Sequence, residues 1–436
     1  MAASAVGAQE PVLTLRQAID QALGKNPEIA AAQTDAKVAG AQEALARTAL
    51  WPQLDVVEDM SRGNDPVYVF GTRLRQQQFT QADFAVNSLN KPTPVGNFAT
   101  RFGGKWMLFD GLGTEWRLRG ARAGEQSATA MSEQEQQRIV LKVVEAYQSV
   151  LFAERMIEIA RHEEKTAESM QSDATTNVKA GLAVDSDLLA AQVGTSERQQ
   201  EVIAAEGARE IALAQLEEAM GVELKTEPAL QPIEARDFPV GDIDEEVASA
   251  VKTRPNLEAL RQERLAQDAG VRAAKGALLP QVSAYGNWEM DRASFAGSGG
   301  NNWVAGVQVQ LDIFPMEKRA RLGAEEAARQ KTEAQERSAE GQIRLAVRSA
   351  HSQHMTAELI VKTAQASMQQ ATESLRIVQN RYKAGLSTMT DLLRAEDAQR
   401  ISQEDYWRAV YGNVVAYTEL LYATGTLTPD SAESLQ

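Results

Sequence analysis

Few side chains in this sequence are equipped for covalent or metal chemistry. Of 436 residues none is cysteine and three are histidine, which excludes thiolate nucleophiles, disulfides and cysteine-held zinc. His351 and His354 stand three apart, close enough to share a helix face and hold a metal weakly. No third ligand is evident, and His354 falls on an apolar seam, so a packed or pore-facing imidazole is the simpler reading. No phosphate-cradling glycine loop or nucleophile elbow stands in a suitable context. The many carboxylates lie at helix-surface spacing, where solvation is their usual role. The chain therefore reads as no enzyme, with no catalytic residue, cofactor or metal. What remains is electrostatic: Asp187 and Asp391, which stand at equivalent places in a repeat.

That repeat organises the chain. Asn26-Pro27-Glu28-Ile29 is echoed by Arg254-Pro255-Asn256-Leu257, and Leu50-Trp51-Pro52-Gln53-Leu54 by Leu278-Leu279-Pro280-Gln281-Val282. The prolines of each copy are 25 apart (52 − 27 and 280 − 255). Lys179-Ala180-Gly181-Leu182 matches Lys383-Ala384-Gly385-Leu386, Asp187-Leu188-Leu189 matches Asp391-Leu392-Leu393, and Gly221 matches Gly425, all at an offset of 204.

In copy one Ile139, Val143, Ala146, Val150, Ala153, Ile157 and Ala160 recur in steps of four and three; copy two repeats them as Ile343, Val347, Ala350, His354, Ala357, Val361 and Ala364. That is a coiled-coil seam. A helix over about 115–178 would reach roughly 95 Å, and stretches over 16–50 and 184–220 about 50–55 Å each, so two short helices match one long one. Each copy then forms a helical hairpin, with Gly181 and Gly385 suited to the left-handed position that ends a helix.

Between the first helix and the long one the period changes to two. Phe98, Phe102, Trp106 and Leu108 oppose Arg101 and Lys105; Trp303, Ala305, Val307, Val309 and Leu311 oppose Val304, Gly306, Gln308, Gln310 and Asp312; Trp288 and Met290 oppose Ser283, Tyr285, Asn287 and Glu289. Strands of about ten residues, apolar on one face and polar on the other, fit a membrane barrel, although a soluble antiparallel sheet alternates in the same way. Four strands cannot close a barrel, since single-chain membrane barrels begin at about eight; the chain must therefore contribute a third or a half of a shared barrel.

The predicted organisation is a flexible N-terminal remnant over 1–12, a first repeat over 13–227 (strands about 53–62 and 96–109, hairpin about 115–220), a linker over 228–243, a second repeat over 244–426 (strands about 281–291 and 302–312, hairpin about 317–424) and a tail over 427–436. Asp and Glu number 60 against 45 Lys and Arg, a net charge of −15, which argues against nucleic acid as a partner. No stretch reads as a membrane-spanning helix. Met1 to Gln9 is too short for a signal core and reads as a start residue joined to a mature end, any native signal peptide having been removed.

With these motifs in order and duplicated, the sequence resembles the outer-membrane efflux protein family of TolC-like channels over about 13–426. The carrying residues are the junctions at Pro52 and Pro280, the strand exit Leu108-Phe109-Asp110-Gly111, the tip Arg381-Tyr382-Lys383-Ala384-Gly385 and Asp391-Leu392-Leu393-Arg394-Ala395. The resemblance implies a mainly α fold with membrane β: tandem helix-strand-strand-helix-helix repeats, each chain giving one third of a trimeric outer-membrane barrel continued by a periplasmic coiled-coil tunnel. It implies a channel in efflux or type I secretion that meets a periplasmic adaptor and, through it, an inner-membrane transporter, with outer-membrane lipids around the barrel. The alternative is a soluble periplasmic coiled-coil adaptor or structural protein.

The resemblance also implies a gate at the tips. Asp391 matches an entrance aspartate and Tyr382 a tyrosine of the closing network, with Ser186 and Asp187 their copy-one partners. In a trimer each aspartate becomes a ring, and carboxylate rings favour cations. This sequence departs from the pattern at Ser387, where a gating arginine is expected, and at Arg394, where a second aspartate is, so Arg394 or Lys383 becomes the expected basic partner. There is no cysteine for lipidation. The copy-one strand connection is also longer: Pro52 to Asp110 spans 58 and Pro280 to Asp312 spans 32. That loop carries Arg62, Arg73, Arg75, Lys91, Arg101 and Lys105 against Asp65 and Asp83. It is expected to meet lipopolysaccharide phosphates, with Tyr68, Phe70 and Phe79 capping the barrel mouth.

Overall fold

The computed structural model describes residues 12–181, 184–224, 228–232, 236–433 and 435; the expected N-terminal remnant, Val12 apart, lies outside them. The chain divides into two compact units, one of Lys37–Ser127 and Arg261–Gln335, the other of Met1–Ala36, Ala128–Leu260 and Glu336–Gln436.

The first unit holds a four-stranded antiparallel sheet in the order β1-β2-β3-β4, with β1 at Gln53–Gly63, β2 at Val95–Phe109, β3 at Gln281–Arg292 and β4 at Gly299–Gln310. The two routes from helix into sheet are built alike. Helix α2 (Pro27–Thr48) ends in a turn in which Leu50 and Trp51 donate to the carbonyls of Arg47 and Thr48; helix α8 (Pro255–Gly276) ends with Leu278 and Leu279 donating to Lys275 and Gly276. Pro52 and Pro280 follow, and because proline has no N–H and disfavours a helical predecessor, extended chain begins there. The exit at Gly111 (φ +70°) touches the end of α8: a Cβ on Gly276 would lie 2.2 Å from the Gly111 carbonyl oxygen. Asp110 Oδ2 then accepts from Thr114 N at 2.7 Å, in the first turn of α5 (Gly113–Lys179).

The register aligns like with like. Val56, Phe102, Trp288 and Trp303 form one cross-strand row, and with Leu54, Trp106, Val307 and Val309 they make an exposed apolar face. On the other face Arg101, Glu289 and Asn302 form a row. β4 starts three residues before the expected 302 and ends at Gln310, not 312: Gln310 pairs with Gln281, the first residue of β3 after Pro280, and Asp312 pairs instead with Lys318 at 2.6 Å.

The long connection from β1 to β2 folds as helix α3 (Pro66–Arg75), a short 3-10 turn (Gln81–Phe84) and helix α4 (Val86–Asn90). Phe79 packs edge-on against Phe70 and Phe84. The basic residues expected to meet phosphate are partly engaged within the chain: Arg73 pairs with Asp83, and Arg75 and Arg101 both with Glu289. Three of the six already have carboxylate partners.

In the second unit the expected single helix over 16–50 is broken. Helix α1 (Leu15–Lys25) stops at Asn26, which Pro27 forces to extended geometry (φ −64°, ψ 126°); Asn26 also donates to Ala219 O at 2.8 Å. Arg254-Pro255 breaks copy two in the same way, after helix α7 (Ile243–Thr253). The long helices α5 and α9 (Met316–Lys383) return as α6 (Asp185–Met220) and α10 (Met389–Thr424). At 67 and 68 residues, α5 and α9 are each about 100 Å long. Every seam residue from Ile139 to Ala160 is buried; in copy two Ile343, Val347, Ala350 and His354 are. Each burial of this kind is worth roughly 1.5–3 kcal/mol for a large aliphatic side chain.

Two segments expected to be peripheral belong to the core. In the linker, whose residues 233–235 lie outside the described ones, Leu230 and Phe238 are buried and Asp242 caps α7. The tail buries Leu427, Ala432 and Leu435, with a last helix α11 (Pro429–Glu433) and an Arg16–Asp430 ion pair at 2.7 Å. Apolar residues at the right spacing, invisible to a composition argument, pull both inward. His354 packs against Phe238 and Tyr417, which stack on each other, while His351 Nδ1 meets Glu246 at 2.8 Å. Among the described residues no cluster of three or more His, Asp or Glu could hold a metal ion.

Candidate functional site

Both tip turns are set by glycine. Gly181 (φ +69°) and Gly385 (φ +72°) take the left-handed conformation that other residues resist; Leu182 and Ala183 lie outside the described residues. In copy two the turn donates Gly385 N to Tyr382 O and Leu386 N to Arg381 O, the paired bonds that close a helix C-terminus.

Helix α10 opens with a capping box. Thr388 Oγ1 accepts from Asp391 N at 3.2 Å, and Asp391 Oδ2 accepts from Thr388 N at 3.0 Å and Oγ1 at 2.7 Å. These bonds, helped by Arg394 and Arg381 nearby, hold the Asp391 carboxyl below the usual range. The charge of Arg394 is near enough to Asp391 to contribute to that lowering. Copy one has no such cap: Val184 holds the N-cap place of α6, and Asp185 and Asp187 fall in the first turn, where their charge faces the helix dipole.

Tyr382 lies between the hairpins. It shares a cavity of about 470 Å³ with Lys383, Met389 and Leu392 on one side and His162, Lys165 and Asp173 on the other. Burial raises the Tyr382 phenol, and the charges of Asp187 and Asp173 raise it further. So Tyr382, Asp187 and Lys383 gather near one end, and Asp391 and Arg394 beside them. Among the described residues no hydrogen bond or ion pair joins Tyr382, Asp187, Ser186, Lys383 or Arg394 to one another. The arrangement is electrostatic, and the one fixed contact is the Thr388–Asp391 box.

Further from the tip the structure presents a pair that the sequence pattern did not bring out. Glu163 of α5 and Glu396 of α10 are 8% and 9% exposed and line a second cavity of about 430 Å³ with Leu189, Val193 and Arg198. Oε1 of Glu396 has no hydrogen-bond partner. Arg198 is engaged elsewhere, with Glu201 at 2.8 Å and Asp397 at 3.1 Å. Burial first, then the charges of Glu163 and Asp397, push the Glu396 carboxyl up to about 7; burial also raises Glu163. The available signal was a polar run, Glu396, Gln399 and Ser402, at core spacing behind Leu392.

A family model described as outer membrane efflux protein matches residues 18–222 and 247–426. In sequence the chain is 20% identical over 413 residues to the alkaline protease secretion protein AprF of Pseudomonas aeruginosa, covering 93% of this chain and 83% of that one. It is 26% identical over 400 residues to protein CyaE of Bordetella pertussis, covering 88% and 78%. In structure it is similar to the CmeC outer membrane channel of Campylobacter jejuni, with a TM-score of 0.82 at 16% identity over 96% of this chain and 88% of that one; at that identity the likeness concerns the fold.

Proposed function

The chain belongs to the outer membrane efflux protein family, and from that membership we propose that it is the outer-membrane channel of an efflux or type I secretion system. It passes small molecules or proteins delivered by an inner-membrane transporter through a periplasmic adaptor. The name of AprF, which speaks of protease secretion, supports the secretion arm of this reading.

The observation that carries the proposal is the sheet. One face exposes Val56, Phe102, Trp303, Val307 and Val309 in aligned rows, and its polar face lies behind them. Among the described residues β1 and β4 each have one strand neighbour. In hydrocarbon an unpaired strand edge costs several kcal/mol per backbone group, so β4 of one copy must pair with β1 of the next. Three copies supply twelve strands and a polar lumen. Among the described residues no helix is long and apolar enough to cross a membrane, and in this reading the strands take the spanning role. The tip residues Asp187, Asp391, Tyr382, Ser186, Lys383 and Arg394 form the periplasmic gate in this reading, Gly181 and Gly385 turning its hairpins, and Pro52 and Pro280 mark where helix becomes barrel. Detergent dependence is the test. The protein should leave membranes only with detergent and precipitate without it; a monodisperse, detergent-free solution would overturn the reading.

A further inference from the structure

Helix α3 does not stand clear of the strands; it lies across the polar face of the sheet and touches all four. Tyr68 Oη meets Ser61 Oγ of β1 at 3.0 Å. Gln76, just past the helix and 2% exposed, donates from Nε2 to Gly96 O and to Asn97 Oδ1 of β2, both at 2.9 Å. Asn97 Nδ2 in turn donates to Asp291 Oδ1 of β3 at 2.7 Å, and Asp291 is fully buried. Asn302 of β4 donates from Nδ2 to Arg75 O at 3.2 Å. Arg75 itself reaches Glu289 of β3 at 3.6 Å. Gly300 shows how close the seat is: a Cβ there would lie 1.9 Å from Arg75 O.

These partners share two features. Ser61, Asn97, Glu289, Asp291 and Asn302 all project from the face opposite Phe102 and Trp303, and they lie at the end of the sheet away from Pro52 and Pro280. In the trimeric barrel that face is the lumen and that end is the outer mouth. We propose that α3 is a lid seated inside the barrel, latched by Gln76, Asn97 and Asp291, which shuts the channel from outside in its resting state. The inference rests on the barrel reading and adds to it a second barrier, separate from the gate at the hairpin tips. The dimensions agree. Eight-stranded barrels are filled by their own side chains and sixteen-stranded ones hold an open channel. A helix with side chains is about 10–12 Å across, so three of them within a barrel of intermediate size leave no wide passage.

The test is labelling of single cysteines on intact cells with a membrane-impermeant maleimide, in a chain that has no cysteine of its own. Val86→Cys, exposed on α4 of the same connection between β1 and β2, reports whether this end faces outward. Asn287→Cys, on the polar face below the latch, reports access to the lumen. Val86→Cys should label readily and Asn287→Cys slowly. Adding Gln76→Ala, which removes both hydrogen bonds that Gln76 donates, should speed Asn287→Cys labelling about tenfold, since a buried local opening becomes easier by the loss of two hydrogen bonds. Gly300→Ala, which crowds the seat without touching the latch, should act in the same direction. Equal labelling of Asn287→Cys with the latch intact and with either change, while Val86→Cys labels, would overturn the lid and leave the barrel standing. Failure of Val86→Cys to label until cells are lysed would overturn the barrel reading, and the lid with it.

Discussion

Oδ2 of Asp391 is committed to its own helix, accepting both donors of Thr388. In the proposed gate one carboxylate carries both the gate charge and the helix cap, and two substitutions separate them. Asp391→Ala should weaken cation preference and block by trivalent cations in planar bilayers. Thr388→Ala removes the hydroxyl cap, at about 1 kcal/mol, but keeps the charge, so block should persist. Equal loss in both variants would make Asp391 a cap alone. Glu396 gives a pH prediction. Its folded carboxyl titrates at about 7 against about 4.3 when unfolded. The folded chain thus holds a proton that the unfolded chain releases, and stability falls as pH rises from about 4.3 to about 7, then stays level. Glu396→Gln should raise thermal stability at pH 8, by on the order of 1–3 kcal/mol, and leave it little changed at pH 4. A pH-independent effect would contradict the buried acid. Asp391 was legible because a repeat and a helix start mark it. Glu396 was not, since a glutamate on a helix reads as solvated until a facing helix is seen to bury it.

The elements were legible where periodicity is long and missed where a local signal was short. The seam over Ile139–Ala160 announced α5 through seven aligned positions, and the alternation around Trp303 announced β4. Helix α3 had its own signal, Asp65 as N-cap accepting from Tyr68 N at 2.9 Å with Pro66 in the first turn, but it lies in ten residues of an insertion with no repeat partner. The break at Asn26-Pro27 was present as a proline and was masked by the longer helical pattern on both sides. The junction of helix and sheet makes a prediction at this scale. Gly276→Ala places a methyl 2.2 Å from the Gly111 carbonyl oxygen, and such overpacking costs about 1–3 kcal/mol. Gly323→Ala, within α9 and with nothing within 4 Å, should instead stabilise by roughly 0.5–1 kcal/mol. Thermal unfolding of the two variants should shift in opposite directions; a harmless Gly276→Ala would mean the junction is not close-packed.

At the scale of the molecule the chain is unfinished alone. Its sheet exposes Trp303, Val307 and Val309 on one face and leaves β1 and β4 each with one free edge. The helical hairpins bury a seam fully in copy one and only partly in copy two, where Ala357, Val361 and Ala364 remain half-buried. In the proposed assembly further copies of the chain would cover both incomplete surfaces. The repeat made the architecture readable, and the family membership extends it to an outer-membrane channel. The most direct test is the mass of the detergent-extracted particle, measured after the detergent is stripped in the gas phase. Three copies of the 436-residue chain are predicted, with no stable monomer or dimer; a stable single-chain particle would contradict a barrel closed by shared strands.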